Sequence, residues 1–164
     1  TKEHPAKNVP KPKKPAGADE KSLKGLHLSI AFAVAATQYA YNTGDYSLLE
    51  QSSMSEPERN YFLREEKERL DKTREGTFWP DNITIEYTLT EESPRLEGDG
   101  EYKWDREFIV EYGKFEVVDG KVEYHSDEDH DMIYRDKFIG NLTAQYINGA
   151  WITSAVANQP KSKS

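Results

Sequence analysis

The hydrophobic period of this chain changes once, at Gly76, and that change decides its fold class. Before it, Leu23, Leu26, Ile30, Val34, Thr37 and Tyr41 recur at steps of three and four, which places them on one face of a helix. After it, Ile83, Ile85, Tyr87 and Leu89 alternate with Thr84, Glu86, Thr88 and Thr90, the period of a strand with one wet face. A helical block followed by a run of strands defines the α+β class.

Punctuation residues divide the helical block into three predicted pieces. Gly44 supplies the left-handed residue that ends the first helix, and Asp45 is a cap for the short turn "YSLLEQ". A third helix opens at Ser55, with Pro57 in its first turn and Glu58 at the capping-box spacing, and closes at Gly76. Its body pairs Glu65 with Arg69 and Glu68 with Lys72 one turn apart, the pattern of a solvated surface helix.

In the strand block, Tyr102, Trp104, Arg106, Phe108, Val110 and Tyr112 share a face until Gly113, beyond which Phe115 and Val117 carry it on in shifted phase. Such a slip predicts a bulge or kink that bends the strand. Asp119-Gly120 and Asn148-Gly149 are two-residue hairpin signals. They predict strands near Lys121 to His125, Ile133 to Ile147 and Ala150 to Ala157.

The 164 residues suit one core without staples. Residues 1–20 contain four Pro and five Lys and are expected to form an extended, semi-rigid tether. Residues 21–158 are expected to form a single domain and 159–164 a disordered tail. Residues 1–24 hold seven Lys against three acids, leaving 15 basic and 27 acidic residues for the body. A body so acidic repels a phosphate backbone, which argues against a nucleic-acid partner. With no cysteine, disulfides, thiolate catalysis and Cys-ligated zinc are excluded. No run of eighteen apolar residues offers a membrane span. The chain opens on Thr1 rather than Met, so a processed or engineered boundary is expected there, with an address signal cut away upstream.

The stretch "YAYNTGDYSLLEQSS" behind a Pro- and Ala-containing spacer resembles a family of actinobacterial membrane-anchored lipoproteins of unknown function. Their domain is similar to the nuclear-transport-factor-two-like superfamily, a cone of helices against a highly curved antiparallel sheet. The hairpin "INGAWITSAV" resembles the closing strands of that superfamily. Members often carry a cysteine pair just after the first segment, where this chain reads "SSMSEPER". The resemblance implies secretion, anchoring to the cell membrane through a lipid-modified cysteine upstream of residue 1, and no enzyme activity or cofactor.

Candidate functional residues follow from the strand faces. Tyr41, Trp79, Trp104, Arg106, Tyr112, Tyr146 and Trp151 are candidates to line an apolar pocket with a few orienting polar groups, or to form ordinary core. Arg106 shares the aromatic face and either binds an anion there or snorkels to water. Asp105, Glu107 and Glu111 are expected on the opposite, wet face. Asp127, Asp129 and Asp131 have the spacing of the first ligands of a calcium loop, but Met132 and Phe138 stand where such a loop needs Gly and a bidentate Glu. A solvated connection is the expectation there, with His125 and His130 exposed on it.

The resulting expectation is a non-catalytic domain that binds a protein partner or a small apolar ligand. The alternative is a small isomerase- or hydrolase-like enzyme using the interior of the cone. A buried acid in the pocket favours the second reading, and a pocket filled by the domain's own aromatics favours the first.

Overall fold

A computed structural model describes residues 1–89, 95–96, 100–155 and 160–163. Helix α1 (Leu23–Thr43) starts at Ser22, whose hydroxyl accepts the Gly25 N–H at 3.0 Å. It ends at Gly44, which has φ 78° and returns its N–H to the Ala40 carbonyl. Helix α2 (Glu56–Glu75) starts at Ser55, has Pro57 in the first turn, and ends at Gly76 with φ 81°. Between them Ser47–Gln51 form a single 3-10 turn. Among the described residues there are therefore two α-helices, not three; Ser47–Gln51 winds into the tighter 3-10 form used in short pieces, and Asp45 accepts the Ser47 N–H at 2.9 Å at its start. Gly44 is required for a second reason, because a Cβ there would lie 2.3 Å from the Leu70 carbonyl oxygen. The helices meet backbone to backbone at that point.

Among the described residues nine strands follow: β1 (Phe78–Pro80), β2 (Thr84–Leu89), β3 (Arg95–Leu96), β4 (Tyr102–Gly113), β5 (Phe115–Val118), β6 (Lys121–Tyr124), β7 (Tyr134–Ile147), β8 (Ala150–Ala155) and β9 (Pro160–Lys163). The larger sheet has the order β2-β4-β7-β8, with β3 also on β4 and β9 also on β7. It is antiparallel and curls into a half-barrel around the helices. The smaller sheet is β1-β5-β6.

Gly113 divides the sheets. The β4–β7 register shifts between Glu111 and Gly113, and Gly113, at φ 77°, lies so close to Asp81 that a Cβ would sit 2.8 Å from the Asp81 Cβ. The Asp81 carboxylate accepts the next N–H, that of Lys114, at 3.0 Å. The phase slip thus carries the chain from one sheet into the other. Asp119-Gly120 (φ 49° and 79°) and Asn148-Gly149 (φ 52° and 82°) make tight hairpins, both central residues taking the left-handed conformation that a type I′ turn needs.

The concave face of β4 carries Trp104 and Arg106, both buried. On its other face Glu107 pairs with Lys137 at 3.3 Å and Glu111 with Arg135 at 2.6 Å. The main core joins Leu26 and Ile30 of α1 to Trp104, Leu142, Ala144 and Trp151. A second cluster joins Phe32 and Ala36 to Leu48 and Leu49 of the 3-10 turn, with Phe62 and Leu63 of α2 packed against it. Two α1 amides cover the free edge of β2: Asn42 exchanges two 2.8 Å hydrogen bonds with the backbone of Ile83, and Gln38 accepts the Ile85 N–H at 2.9 Å. An edge covered in this way offers no template for another strand.

Three segments differ from the sequence reading. Phe78-Trp79-Pro80, outside the strands expected from the sequence, is a strand paired with β5. Pro160–Lys163, expected in a disordered tail, adds a strand to β7. Residues 1–20 lack regular secondary structure but lie along the body. The Ala18 side chain is buried and its carbonyl accepts the Ser29 hydroxyl at 2.7 Å. The Asp19 carbonyl accepts the Tyr146 hydroxyl at 2.6 Å, and the Glu20 carbonyl the Trp151 indole N–H at 2.8 Å. At the far end the Thr1 carbonyl accepts the Trp79 indole N–H at 2.7 Å, and the Lys2 ammonium lies 5.2 Å from the Tyr124 ring centroid. Among the described residues, no helix is long and apolar enough to cross a membrane.

Candidate functional site

The half-barrel is not filled by its own side chains. A cavity of about 460 Å³ lies between α1, α2 and the concave sheet. Its walls follow from the two periods of the sequence. The stripe on α1 begins as core at Leu26 and Ile30 and continues as cavity wall through Val34, Thr37 and Tyr41. Helix α2 contributes Glu58, Tyr61, Phe62, Glu65 and Glu66, spaced at three, four, seven and eight from the first, hence on one face. Ile85, Phe108, Val110, Phe138 and Leu142 close the sheet side, brought level by the register in which Tyr87 pairs with Phe108, and Phe108 with Phe138.

Glu58 is a half-buried acid of this site, and the way α2 starts explains it. In a capping box the third residue turns back to the N-cap N–H. Here the Ser55 N–H instead donates to the Thr153 carbonyl at 2.9 Å, while the Thr153 N–H donates to the Ser53 carbonyl at 2.7 Å. The N-cap is thereby stitched in parallel to β8. Glu58 is released from its local partner and accepts the Ala155 N–H at 2.6 Å. Burial pushes its carboxyl up to about 7, against the Ala155 N–H and the Arg106 charge, which both favour the ionised form.

Arg106 is only 4% exposed. Its guanidinium lies 4.4 Å from the Phe108 ring centroid and donates to the Phe138 carbonyl at 3.4 Å. Burial lowers its pKa and the neighbouring Glu58 opposes that. Further along α2, burial raises the Glu66 carboxyl, with Arg69 opposing and Glu65 adding to the effect. Tyr41 meets Phe62 edge to face at 5.5 Å, and burial, then Glu66, holds its hydroxyl well above the ordinary range.

The residues singled out in the sequence separate into five places. Tyr41 lies in the cavity wall, and Arg106 stands behind Phe108 beside Glu58. Trp104, Tyr146 and Trp151 belong to the main core at the α1 N-terminus, where Trp104 is fully buried against His27 and the other two hold residues 19 and 20. Trp79 lies in the smaller sheet with Phe115 and Val117. Tyr112 packs on Tyr134 at the end of β4, its hydroxyl pushed up to about 12, chiefly by burial.

Sequence reasoning passed over Glu58, Glu65 and Glu66 as wall residues. The available signal was their spacing with Tyr61 and Phe62, acids and aromatics on one stripe. In the acidic connection, Asp131 pairs with Lys114 at 2.9 Å and His130 stacks on Tyr124 with ring centroids 3.6 Å apart. Among the described residues, no group of three or more His, Asp or Glu side chains is placed to hold a metal ion.

Comparison with curated proteins and with solved structures returns no match. The chain matches a family of unknown function, DUF6318, over residues 1–157, and on that extent of agreement it belongs to this family.

Proposed function

We propose that this domain is a non-catalytic binding module that takes a small, mostly apolar molecule into the cavity beneath α1 and α2. The observation that carries the reading is the cavity itself, about 460 Å³ with mainly aliphatic and aromatic walls and few polar groups. Space of this size and lining is what ligand sites provide. The arrangement of helices on the hollow side of a curled sheet supports a kinship with the nuclear-transport-factor-two-like cones. The Lys- and Pro-rich leading segment and the resemblance to membrane-anchored lipoproteins support display outside a bacterial membrane on an upstream lipid anchor. A protein partner at the cavity mouth belongs to the same reading.

N-phenyl-1-naphthylamine, a neutral fluorophore that brightens in apolar surroundings, tests this function. The expected result is saturable enhancement at one probe per chain, lost in Val34→Phe, which fills the wall. Absence of saturable binding to the folded protein overturns the reading. Fractionation of the full-length precursor tests the address, and recovery in the cytosol rejects it.

A second reading, a small isomerase- or hydrolase-like enzyme, is favoured by the same unfilled cavity together with the acid in its wall, Glu58, whose carboxyl near 7 suits a general acid or base. A bound molecule recovered unchanged after long incubation supports the binding module. Its conversion, abolished in Glu58→Gln, supports the enzyme.

A further inference from the structure

The polar part of the cavity wall is one-sided in charge. Among the described residues that line it are three carboxylates, Glu58, Glu65 and Glu66, and no Lys, Arg or His. The aromatic rings of Tyr41, Tyr61, Phe62, Phe108 and Phe138 share the same wall. Carboxylates set among ring faces in a partly dry space attract a positively charged nitrogen by ion pairing and by the ring quadrupoles together.

We infer that the cavity is built for an apolar molecule bearing one protonated or quaternary nitrogen, the nitrogen held on the α2 side by Glu58 and Glu66 and the apolar part against Val34, Ile85, Val110 and Leu142. The inference rests on the cavity-binding reading and adds the chemical class of the ligand. Burial raises both Glu58 and Glu66 above the ordinary carboxylate range, so neither is fully compensated by the protein and a bound cation relieves both. Arg106 does not reverse the preference. It lies outside the wall, its guanidinium over the Phe108 ring and bonded to the Phe138 carbonyl.

The groups that face Glu58 set the pH response. Arg106 approaches from β4 and the Ala155 N–H from β8. Tyr61, Glu65 and Glu66 lie along α2, Tyr41 is on α1, and Glu101 shares the neighbouring groove. Burial brings the Glu58 carboxyl up to about 7.

Three probes of matched size decide the matter: phenylbutylamine, phenylbutanol and phenylbutyrate, titrated calorimetrically into the whole chain. At about pH 8 the amine is expected to bind at least about tenfold more tightly than the alcohol, and the acid most weakly. Between about pH 8 and pH 6 the amine keeps its charge while Glu58 gains a proton, so its affinity falls roughly tenfold. Glu58→Gln removes most of that slope and of the amine's advantage. Glu66→Gln, a second variant that leaves the Ala155 hydrogen bond in place, reduces the advantage in part.

Equal affinity for the three probes, or preference for the acid, overturns the inference and leaves the cavity-binding reading standing. An amine advantage that survives both variants overturns the assignment to these carboxylates. Failure of every probe to bind the folded protein removes both the inference and the reading beneath it.

Discussion

Glu58 accepts the backbone N–H of Ala155 at 2.6 Å across 97 positions of sequence. This single hydrogen bond joins the first turn of α2 to the last residue of β8 and sets a carboxyl group in the cavity wall. Because burial raises that carboxyl from 4.5 to about 7, the folded protein binds its proton more tightly than the unfolded chain does. Glu58 therefore favours the folded state fully below about pH 4.5, and that contribution is lost as pH rises through about 7. Glu58→Gln, whose amide oxygen still accepts from Ala155, is expected to be more stable than the wild type at about pH 8, by up to about 3 kcal/mol, with the gain shrinking toward pH 5. Urea denaturation at the two pH values measures it; a gain independent of pH contradicts the assignment.

The two helix-ending glycines separate conformation from contact. Gly76 has φ 81° with nothing near a Cβ, whereas Gly44 has φ 78° and the Leu70 carbonyl oxygen 2.3 Å from that position. Gly76→Ala is expected to cost about 1 kcal/mol from the backbone alone. Gly44→Ala adds the overpacking term and costs about 2–4 kcal/mol. Equal losses in chemical denaturation would place Gly44 away from α2.

Core and cavity wall respond differently to the loss of methyl groups. Leu26 is 1% exposed inside the main core, while Val34 is half-buried on the cavity. Leu26→Ala is expected to destabilise by about 3–5 kcal/mol. Val34→Ala, which enlarges a space already present, costs about 1 kcal/mol or less. Parity between them in thermal or urea unfolding would mean that Val34 is packed as core.

Residues 1–20 offer Lys7, Lys11, Lys13 and Lys14 to Lys-C, yet the ends of the segment are bonded to Trp79, Tyr146 and Trp151. Cleavage there is expected to be at least about tenfold slower than in a free peptide of the same sequence. Trp151→Phe with Tyr146→Phe removes two donors, costs about 1 kcal/mol each, and restores rapid cleavage. Rapid cleavage of the wild type would return the segment to a free tether.

The elements that the sequence discloses are those with local causes. The stripe from Leu23 to Tyr41, the cap at Ser55, the terminal glycines and the two hairpin dipeptides each depend on neighbours within a turn or two. Glu58 shows where that reasoning ends. Its spacing from Ser55 points to the N-cap, because the partner that displaces it, the Thr153 carbonyl on the Ser55 N–H, lies far away in the chain. The aromatics fail for another reason. A Trp or Tyr on an inward face signals burial, but only the fold decides whether it is buried by packing, as at Trp104, or faces a space, as at Tyr41. Strands β1 and β9 are short, and the second consists of Pro, Lys and Ser alone, so pairing rather than propensity makes them.

Gly44 against Leu70 fixes one end of α2, and the Ser55–Thr153 pairing fixes the other. A rod clamped at both extremities cannot swing outward like a hinged cover. Access to the interior then resembles a rigid window, with Tyr61 and Glu65 as the exposed members of its α2 wall, and guests are sorted by girth before they are sorted by charge.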